Sequence, residues 1–330
     1  LEIDLKEGNM KEFHGEGSIG LISSKLTLEG PIVKDKTSFI ISGRRTYADL
    51  IAKYILKETS GYYFGDFNAK INHIISRKDR LYLSYYGGSD HFYSNDKRVN
   101  VDNPNQTISD DAFLKWGNHT GSFRWNHLFN DKLFGNLTTT FSQYRFNIGY
   151  ENVNKDITFN PPYIDRTGFE YQSLIRDYGT KYALEYSLNT KHKLEGGLSY
   201  TYHIFKPGAA QFANNDYSLD SIISLSNIIY ANDFYTYLQD DWTITNRLRV
   251  NYGVHYSYYF TSDTNYKSLQ PRISARYLLK DDWSVKVSYA EMTQYIHLLS
   301  NSGVGLPTDL WVSSTAKVKP QLSKQIAIGT

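Results

Sequence analysis

Between Lys193 and Phe260 the chain alternates apolar and polar residues with a period of two. Leu194, Leu198, Tyr200, Tyr202 and Ile204 fall on one side, and Lys193, Glu195, Ser199, Thr201 and His203 on the other. After a break the pattern returns. Leu248, Val250, Tyr252, Val254, Tyr256, Tyr258 and Phe260 oppose Arg247, Arg249, Asn251, Gly253, His255 and Ser257. Successive side chains of a strand point to opposite sides, so each segment has an oily face and a wet one. Strands of soluble sandwiches average about five or six residues. These run to a dozen or more, the length a tilted strand needs to cross a bilayer. The pattern predicts an all-β fold, a transmembrane antiparallel β-barrel.

The same reading along the chain predicts strands at Glu12–Gly20, Ile22–Ile32, Thr37–Thr46, Phe64–Ser76, Arg80–Asp90, Lys115–Leu128, Leu133–Gly149, Phe169–Leu188, Lys193–Phe205, Asp233–Ile244, Leu248–Phe260, Ser268–Leu279, Trp283–Met292 and Gln321–Gly329. The first two read as a pinched hairpin reversing near Gly20, or as one long strand. Short polar turns recur at Lys34–Lys36, Arg77–Arg80, Asn130–Lys132, Asn189–His192, Thr245–Asn246 and Lys280–Asp282, where Asn and Asp suit tight reversals. Between them the stretches Tyr47–Gly61, Ser89–Asp111, Tyr150–Gly168, Lys206–Ala231 and Thr293–Pro320 collect most of the prolines and read as long irregular loops. Tight turns alternating with long loops is the outer-membrane pattern, with turns at the periplasmic end. Pro271, inside a strand, is expected at a strand end or a bulge. Asp240 and Asp241 beside Trp242 break the alternation and fit a membrane interface better than its middle.

Composition adds constraints. The 330 residues carry a net charge of +2, which leaves no electrostatic footprint for nucleic acid. Tyr is used 29 times and Phe 17, whereas Cys is absent, which excludes a disulfide scaffold and Cys-ligated zinc. Mean hydropathy is −0.50, and no run approaches the roughly 18 apolar residues of a membrane helix. For a barrel that average is uninformative, because every second residue faces the lumen. Trp242 and Trp283 lie beside periplasmic turns, and Tyr258 and Phe260 towards the other rim, where amphipathic rings meet headgroups.

No catalytic constellation assembles, and the chain reads as a non-enzyme without cofactor. The nine histidines are scattered, with no pair at the spacing of a zinc helix. Asp110–Asp111 and Asp102–Asn103 read as solvated acidic loops rather than calcium sites. Gly15-x-Gly17-x-x-Gly20 matches a dinucleotide fingerprint by spacing only, since no buried parallel strand precedes it and no helix follows.

The run Gly15 to Ile32, GEGSIGLISSKLTLEGPI, resembles the opening of the barrel in TonB-dependent outer-membrane receptors. Its continuation, Lys34 to Tyr47, KDKTSFIISGRRTY, resembles the Bacteroidetes branch of that family. Upstream, Leu1 to Gly8 is similar to the last strand of the plug domain, which sets expected boundaries of 1–9 for that strand and 10–330 for the N-terminal part of the barrel. Leu306 to Trp311 with Val318 to Gln321 and Ile326 to Gly329, and Tyr237 to Trp242 with Val250 to Gly253, resemble two further recurrent segments. About 14 strands are expected here against roughly 22 in such transporters, so the barrel is expected to be incomplete.

The resemblance implies import of a scarce nutrient (siderophore, cofactor, glycan or peptide) through a plugged barrel in the outer membrane. Energy would come from the TonB–ExbB–ExbD complex acting through an upstream part, with a surface lipoprotein as a possible further partner and no nucleic acid. Lys25, Glu29, Arg44, Arg124, Lys181, Glu185, Glu195, Arg249, Arg272, Arg276 and Lys286 are expected on the lumen side facing the plug. Ligand contact is expected from the loop aromatics Tyr62, Tyr63, Tyr93, Tyr163, Phe212 and Trp311. A passive porin or adhesion barrel, or a soluble β-sandwich such as a carbohydrate-binding module, are the competing readings.

Overall fold

A computed structural model describes residues 5–214, 221–223, 228–299 and 310–330, with the backbone alone for 209–214 and 221–223. The strands are β1 (His14–Ile19), β2 (Ser23–Val33), β3 (Thr37–Thr46), β4 (Ser60–Ile74), β5 (Asp79–Val99), β6 (Gln106–Asn130), β7 (Leu133–Asp156), β8 (Tyr163–Ser187) and β9 (His192–Asn214). There follow β10 (Ser221–Ile223), β11 (Ile229–Thr243), β12 (Leu248–Thr261), β13 (Asn265–Lys280), β14 (Trp283–Gln294), β15 (Ile296–Leu299), β16 (Leu310–Ser313) and β17 (Gln321–Gly329). One antiparallel sheet runs β1 to β9, then β11 to β14, then β17, with β10 beside β9; β15 and β16 pair separately. Among the described residues β1 and β17 each have one neighbour and do not meet, so the barrel wall is an open arc.

Each of the fourteen expected strands has its counterpart along that path, and the reversal near Gly20 is a hairpin pairing His14 with Glu29 and Ile19 with Ser24. The tight turns follow from local side-chain chemistry. Asn130 Oδ1 accepts from the backbone N–H of Lys132 and Leu133, and Asn189 Oδ1 does the same for Lys191 and His192. Ser76 and Thr245 hydroxyls serve the turns at 77–78 and 246–247. Asp35 takes the left-handed conformation (φ 57°) that its short polar side chain tolerates.

Three expected loops are corrected. Ser89–Asp111, Tyr150–Gly168 and the start of Lys206–Ala231 are mostly strand: β5 to β9 run for 21, 25, 24, 25 and 23 residues. At about 3.4 Å per residue, 25 residues reach roughly 80 Å, well beyond the bilayer. The reason they read as loops lies in their outward positions. The outward faces of β5 to β8 are oily chiefly near the tight turns, at Leu81, Leu83, Tyr85, Phe123, Trp125, Leu137, Phe141, Tyr178, Tyr182 and Leu184, with Tyr93, Phe113 and Leu174 scattered higher up. Farther up they turn polar at His119, Gln143 and Arg176, where Arg176 donates two hydrogen bonds to Gln143 Oε1 (2.8 and 2.6 Å). Inward apolar residues persist to Leu114, Phe146 and Ile148, but beyond them, at 94–99, 106–111 and 151–156, both faces are mostly polar, so the ladder continues with no hydrophobic alternation to announce it. Thr293–Pro320 is also not wholly irregular, because β15 and β16 within it pair antiparallel.

Pro271 sits at neither a strand end nor a bulge. It pairs with Val254 inside β13, and the ladder to β14 stops one residue away, at Arg272–Ala290. The missing N–H is thus accommodated by ending one ladder. Asp240 lies at the tight-turn rim on the outward face, where His192 Nδ1 (2.7 Å) and Tyr252 Oη (3.1 Å) hydrogen-bond it and Trp242 stacks on His192. The carboxylate that breaks the alternation therefore has polar partners at the tight-turn rim.

Candidate functional site

The strand register puts Lys25, Glu29, Arg44, Arg124, Lys181, Glu185, Glu195, Arg249, Arg272, Arg276 and Lys286 on one face of the sheet. Lys25 pairs Arg44, Glu185 pairs Glu195, and Arg276 pairs both Arg249 and Lys286. This is the inward face, because two segments fold against it. One is the N-terminal strap, residues 5–9; the other comprises residues 295–299 and 310–315, which hold Tyr295, β15 and β16.

The strap contains no strand over its described residues. It is held by a polar network on β2 to β5. Lys6 Nζ meets Glu29 Oε1 at 2.5 Å, and Lys70 Nζ donates to the Leu5 carbonyl at 2.7 Å. Ser38 Oγ donates to the Glu7 carbonyl at 2.8 Å, and Arg80 Nη2 meets Glu7 Oε2 at 2.6 Å. Asn72, fully buried, accepts from Arg80 Nε at 2.8 Å and donates to Ser38 Oγ at 3.5 Å. Gly8 has φ 81°, and a Cβ there would run into the Phe39 carbonyl, so only glycine fits this bend. Beside the strap, Tyr82 lies under three cations, Arg124 at 4.2 Å, Lys70 at 5.2 Å and Arg80 at 5.3 Å from its ring centre. A cavity of about 560 Å³ next to this network is lined by Lys6, Lys25, Glu29, Asn68 and Lys70 among others.

The second infolded segment packs on β9, β11, β12 and β13. Tyr295 stacks flat on Tyr259, with ring centres 4.7 Å apart and planes 4° apart, in a cluster with Phe205 and Ala231. Its polar atoms are matched one by one. Tyr295 Oη pairs with Ser257 Oγ and Tyr259 Oη with Ser313 Oγ, each at 2.7 Å. Tyr266 donates to the Thr315 carbonyl at 2.7 Å, and Gln270 Nε2 to Ser257 Oγ at 2.9 Å. Buried hydroxyls left without partners cost about 1–3 kcal/mol each, so this matching fixes where β15 and β16 sit.

Between that segment and the wall lies a cavity of about 1110 Å³, lined by Asp177, Asp233, Tyr235, His255, Arg272 and Trp311 among others. Asp177 and His203 face each other across β8 and β9, and His203 Nδ1 is 2.7 Å from Asp177 Oδ1. Asp233 pairs Thr201, one step along from His203 on the same face. Among the described residues Asp233 Oδ1, His203 Nε2 and His255 Nδ1 are buried without a hydrogen-bond partner. The cavity thus offers acceptors at one end and the Arg272 guanidinium towards the other, with aromatic walls between. It can bind a polar molecule; no group of three or more His, Asp or Glu suited to a metal occurs among the described residues.

The expected ligand aromatics do not converge. Tyr62, Tyr63, Tyr93, Tyr163 and Trp311 lie on strands β4, β5, β8 and β16 rather than in loops, which corrects their description as loop residues. Tyr62 is inward, donates to Asp90 at 2.5 Å and stacks with Trp116. Tyr63 and Tyr93 are on the outward face, both against His91. Tyr163 meets Phe159 at the long-hairpin end. Trp311 lines the large cavity. Phe212 has its backbone in β9, and its side chain lies outside the described residues. Asp177, His203, Asp233, Tyr259 and Tyr295 were missed. Parity places Asp177, His203 and Asp233 on the polar, inward side of their strands but does not single them out from the other polar positions there.

A family model described as "TonB dependent receptor-like, beta-barrel" matches residues 45–330. No curated protein sequence matches. Among solved structures, the ferric-catecholate import receptor Fiu of E. coli K12 superimposes with a TM-score of 0.61 at 14% identity, covering 98% of this chain and 56% of Fiu. FpvA of P. aeruginosa, bound to a heterologous pyoverdine, gives 0.59 at 13% identity, covering 96% of this chain and 45% of FpvA. The RagAB peptide importer gives 0.53 at 10% identity, covering 93% and 41%. At these identities the likeness shows the fold, and the chain spans about half the length of the structures it matches.

Proposed function

The chain belongs to the TonB-dependent receptor β-barrel family, whose barrels lie in the bacterial outer membrane, and from that premise we propose that it forms part of an energised importer of a scarce nutrient. The receptor binds its cargo from outside in the lumen and releases it inward when TonB, driven by ExbB–ExbD, remodels an upstream plug. Residues 1–9 are then the end of that plug and 10–330 the N-terminal part of the barrel. The chemistry is non-covalent: ligand affinity differs between two plug states.

One observation carries the reading. A strap entering from the N-terminal side is hydrogen-bonded to the inward wall by Glu29, Ser38, Lys70 and Arg80. Of these contacts the Arg80–Glu7 pair is exposed and individually weak, whereas Glu29, Ser38 and Lys70 are buried polar groups whose hydrogen bonds to the strap define its seat on the wall. Lys25, Arg44, Arg124, Lys181, Glu185, Glu195, Arg249, Arg272, Arg276 and Lys286 extend the same kind of surface towards the plug. The upper-lumen cavity with Trp311 is the cargo site, with Tyr62 and Tyr163 above it on the inward face. An iron chelate or a peptide fits the neighbours' roles; a surface lipoprotein is a candidate partner.

Uptake by cells carrying the whole receptor, measured with and without TonB, tests this. Loss of uptake without TonB is expected. Equal uptake favours the passive barrel instead.

A further inference from the structure

The cluster Asp177, His203 and Asp233 has more hydrogen-bond acceptors than donors. Asp233 Oδ1 is buried and unpartnered among the described residues, and so is His203 Nε2. Two carboxylates accept only, and an imidazole that donates through Nδ1 to Asp177 presents Nε2 as a further acceptor. Protonating His203 adds one donor, but it leaves Asp233 Oδ1 still to be satisfied. The other polar groups nearby do not fill the gap. Tyr259 and Tyr295 are engaged with Ser313 and Ser257, and Gln270, which donates to Ser257, pairs with His255, four residues along β12 from the partner of Asp233. Asp177 and Asp233 both line the cavity, so the missing donor has space to arrive from the lumen.

Charge sorts the candidates further. Arg272 lines the same cavity but pairs with Gly253, whose row lies six residues along β11 from Asp233. At about 3.4 Å per residue that is roughly 20 Å, too far to neutralise it. A ligand carboxylate or phosphate at the aspartates would meet two like charges; an ammonium brings three donors and the opposite charge. Tyr235, whose ring meets His255 at a tilt of 30°, walls the space between with an aromatic face that suits a cation's alkyl stem.

We propose that Asp177 and Asp233, with His203 between them, form the recognition point for a protonated amine, so that the cargo belongs to the class of amine-bearing, cationic molecules. This rests on the import reading and narrows it. The test is binding rather than uptake. The whole receptor in detergent is titrated calorimetrically with 1,6-diaminohexane, and with adipate and 1,6-hexanediol as its carbon-matched acid and neutral counterparts. The diamine binds and the other two do not. Asp233→Asn and Asp177→Asn each weaken it about tenfold or more, and Asp131→Asn, in a tight turn, leaves it unchanged. Both aspartate variants keep the shape of the side chain, and heat-modifiable electrophoretic mobility reports that each barrel is folded. Binding of adipate as tight as the diamine, binding of none of the three, or full affinity in both folded variants overturns the proposal. None of these results bears on TonB dependence, which reads the upstream plug.

Discussion

Arg80 Nη2 lies 2.6 Å from Glu7 Oε2, joining the strap to the start of β5 across 73 residues of sequence. The same guanidinium donates through Nε to Asn72 (2.8 Å), so the ion pair is aimed by a buried amide. Both charged groups remain more than a third exposed, and water screens their attraction.

Replacing Arg80 by Ala is therefore expected to loosen the strap more than it destabilises the barrel. In urea unfolding the ion pair should contribute no more than about 1 kcal/mol, and the donor lost to buried Asn72 about 1–3 kcal/mol. Amide hydrogen exchange over residues 5–9 should accelerate clearly in the whole receptor. Gly8→Ala should loosen the same residues by steric conflict with the Phe39 carbonyl. Unchanged exchange in both variants would show that the strap is held by something else.

The lipid-facing band makes a sharper claim. Leu83 and Leu198 are outward and exposed in the isolated wall, at 54% and 52%. Leu83→Arg or Leu198→Arg should cost about 2–4 kcal/mol if the residue sits at mid-bilayer. Ser84→Arg, one position along and inward, should cost far less. Folding titrations into liposomes measure the difference, and equal costs on the two faces would contradict the orientation derived from the register.

At the tight-turn rim, His192 supplies Asp240 with a hydrogen bond while Trp242 covers the ring. A second cluster repeats the arrangement, with Asp79 bound by His127 Nδ1 (2.6 Å) and Trp125 Nε1 (3.1 Å). His192→Ala leaves a largely buried carboxylate with Tyr252 as its remaining partner, and should cost about 1–3 kcal/mol. Brominated lipids should quench the Trp125 and Trp242 emission most strongly when bromine lies near the headgroups. Strongest quenching from the acyl-chain ends would move the rim into the bilayer.

Far above the oily band, hydrogen bonds from Asn152 and Tyr150, aided by Arg98, hold the Asp110 carboxyl below the usual carboxylate range. A depressed folded pKa stabilises the hairpin extension above the unfolded value, near pH 4. The contribution fades as pH falls through the lower folded value. Side-chain NMR of Asp110 should titrate below an ordinary Asp, and hydrogen exchange near residues 95–111 should quicken only in that acidic window. Asn152→Asp, which removes a donor, should raise the midpoint.

The fourteen strands of the wall, their tight turns and the wet side of each were legible in the sequence. Alternation at period two, together with Asn, Asp, Ser and Thr at the reversals, is a local signal. For the same reason parity alone grouped Lys25, Glu29, Arg44 and the other lumen residues on one face. What parity could not supply was contact between distant segments. The hairpin extensions of β5 to β9 were hidden because towards their tips both faces are mostly polar and alternation vanishes. Tyr295 on Tyr259, Glu7 on Arg80 and Asp177 beside His203 depend on register and on which segments fold inward. Those choices are made by matching buried hydroxyls, charges and rings across the lumen, and no stretch of sequence carries that match by itself.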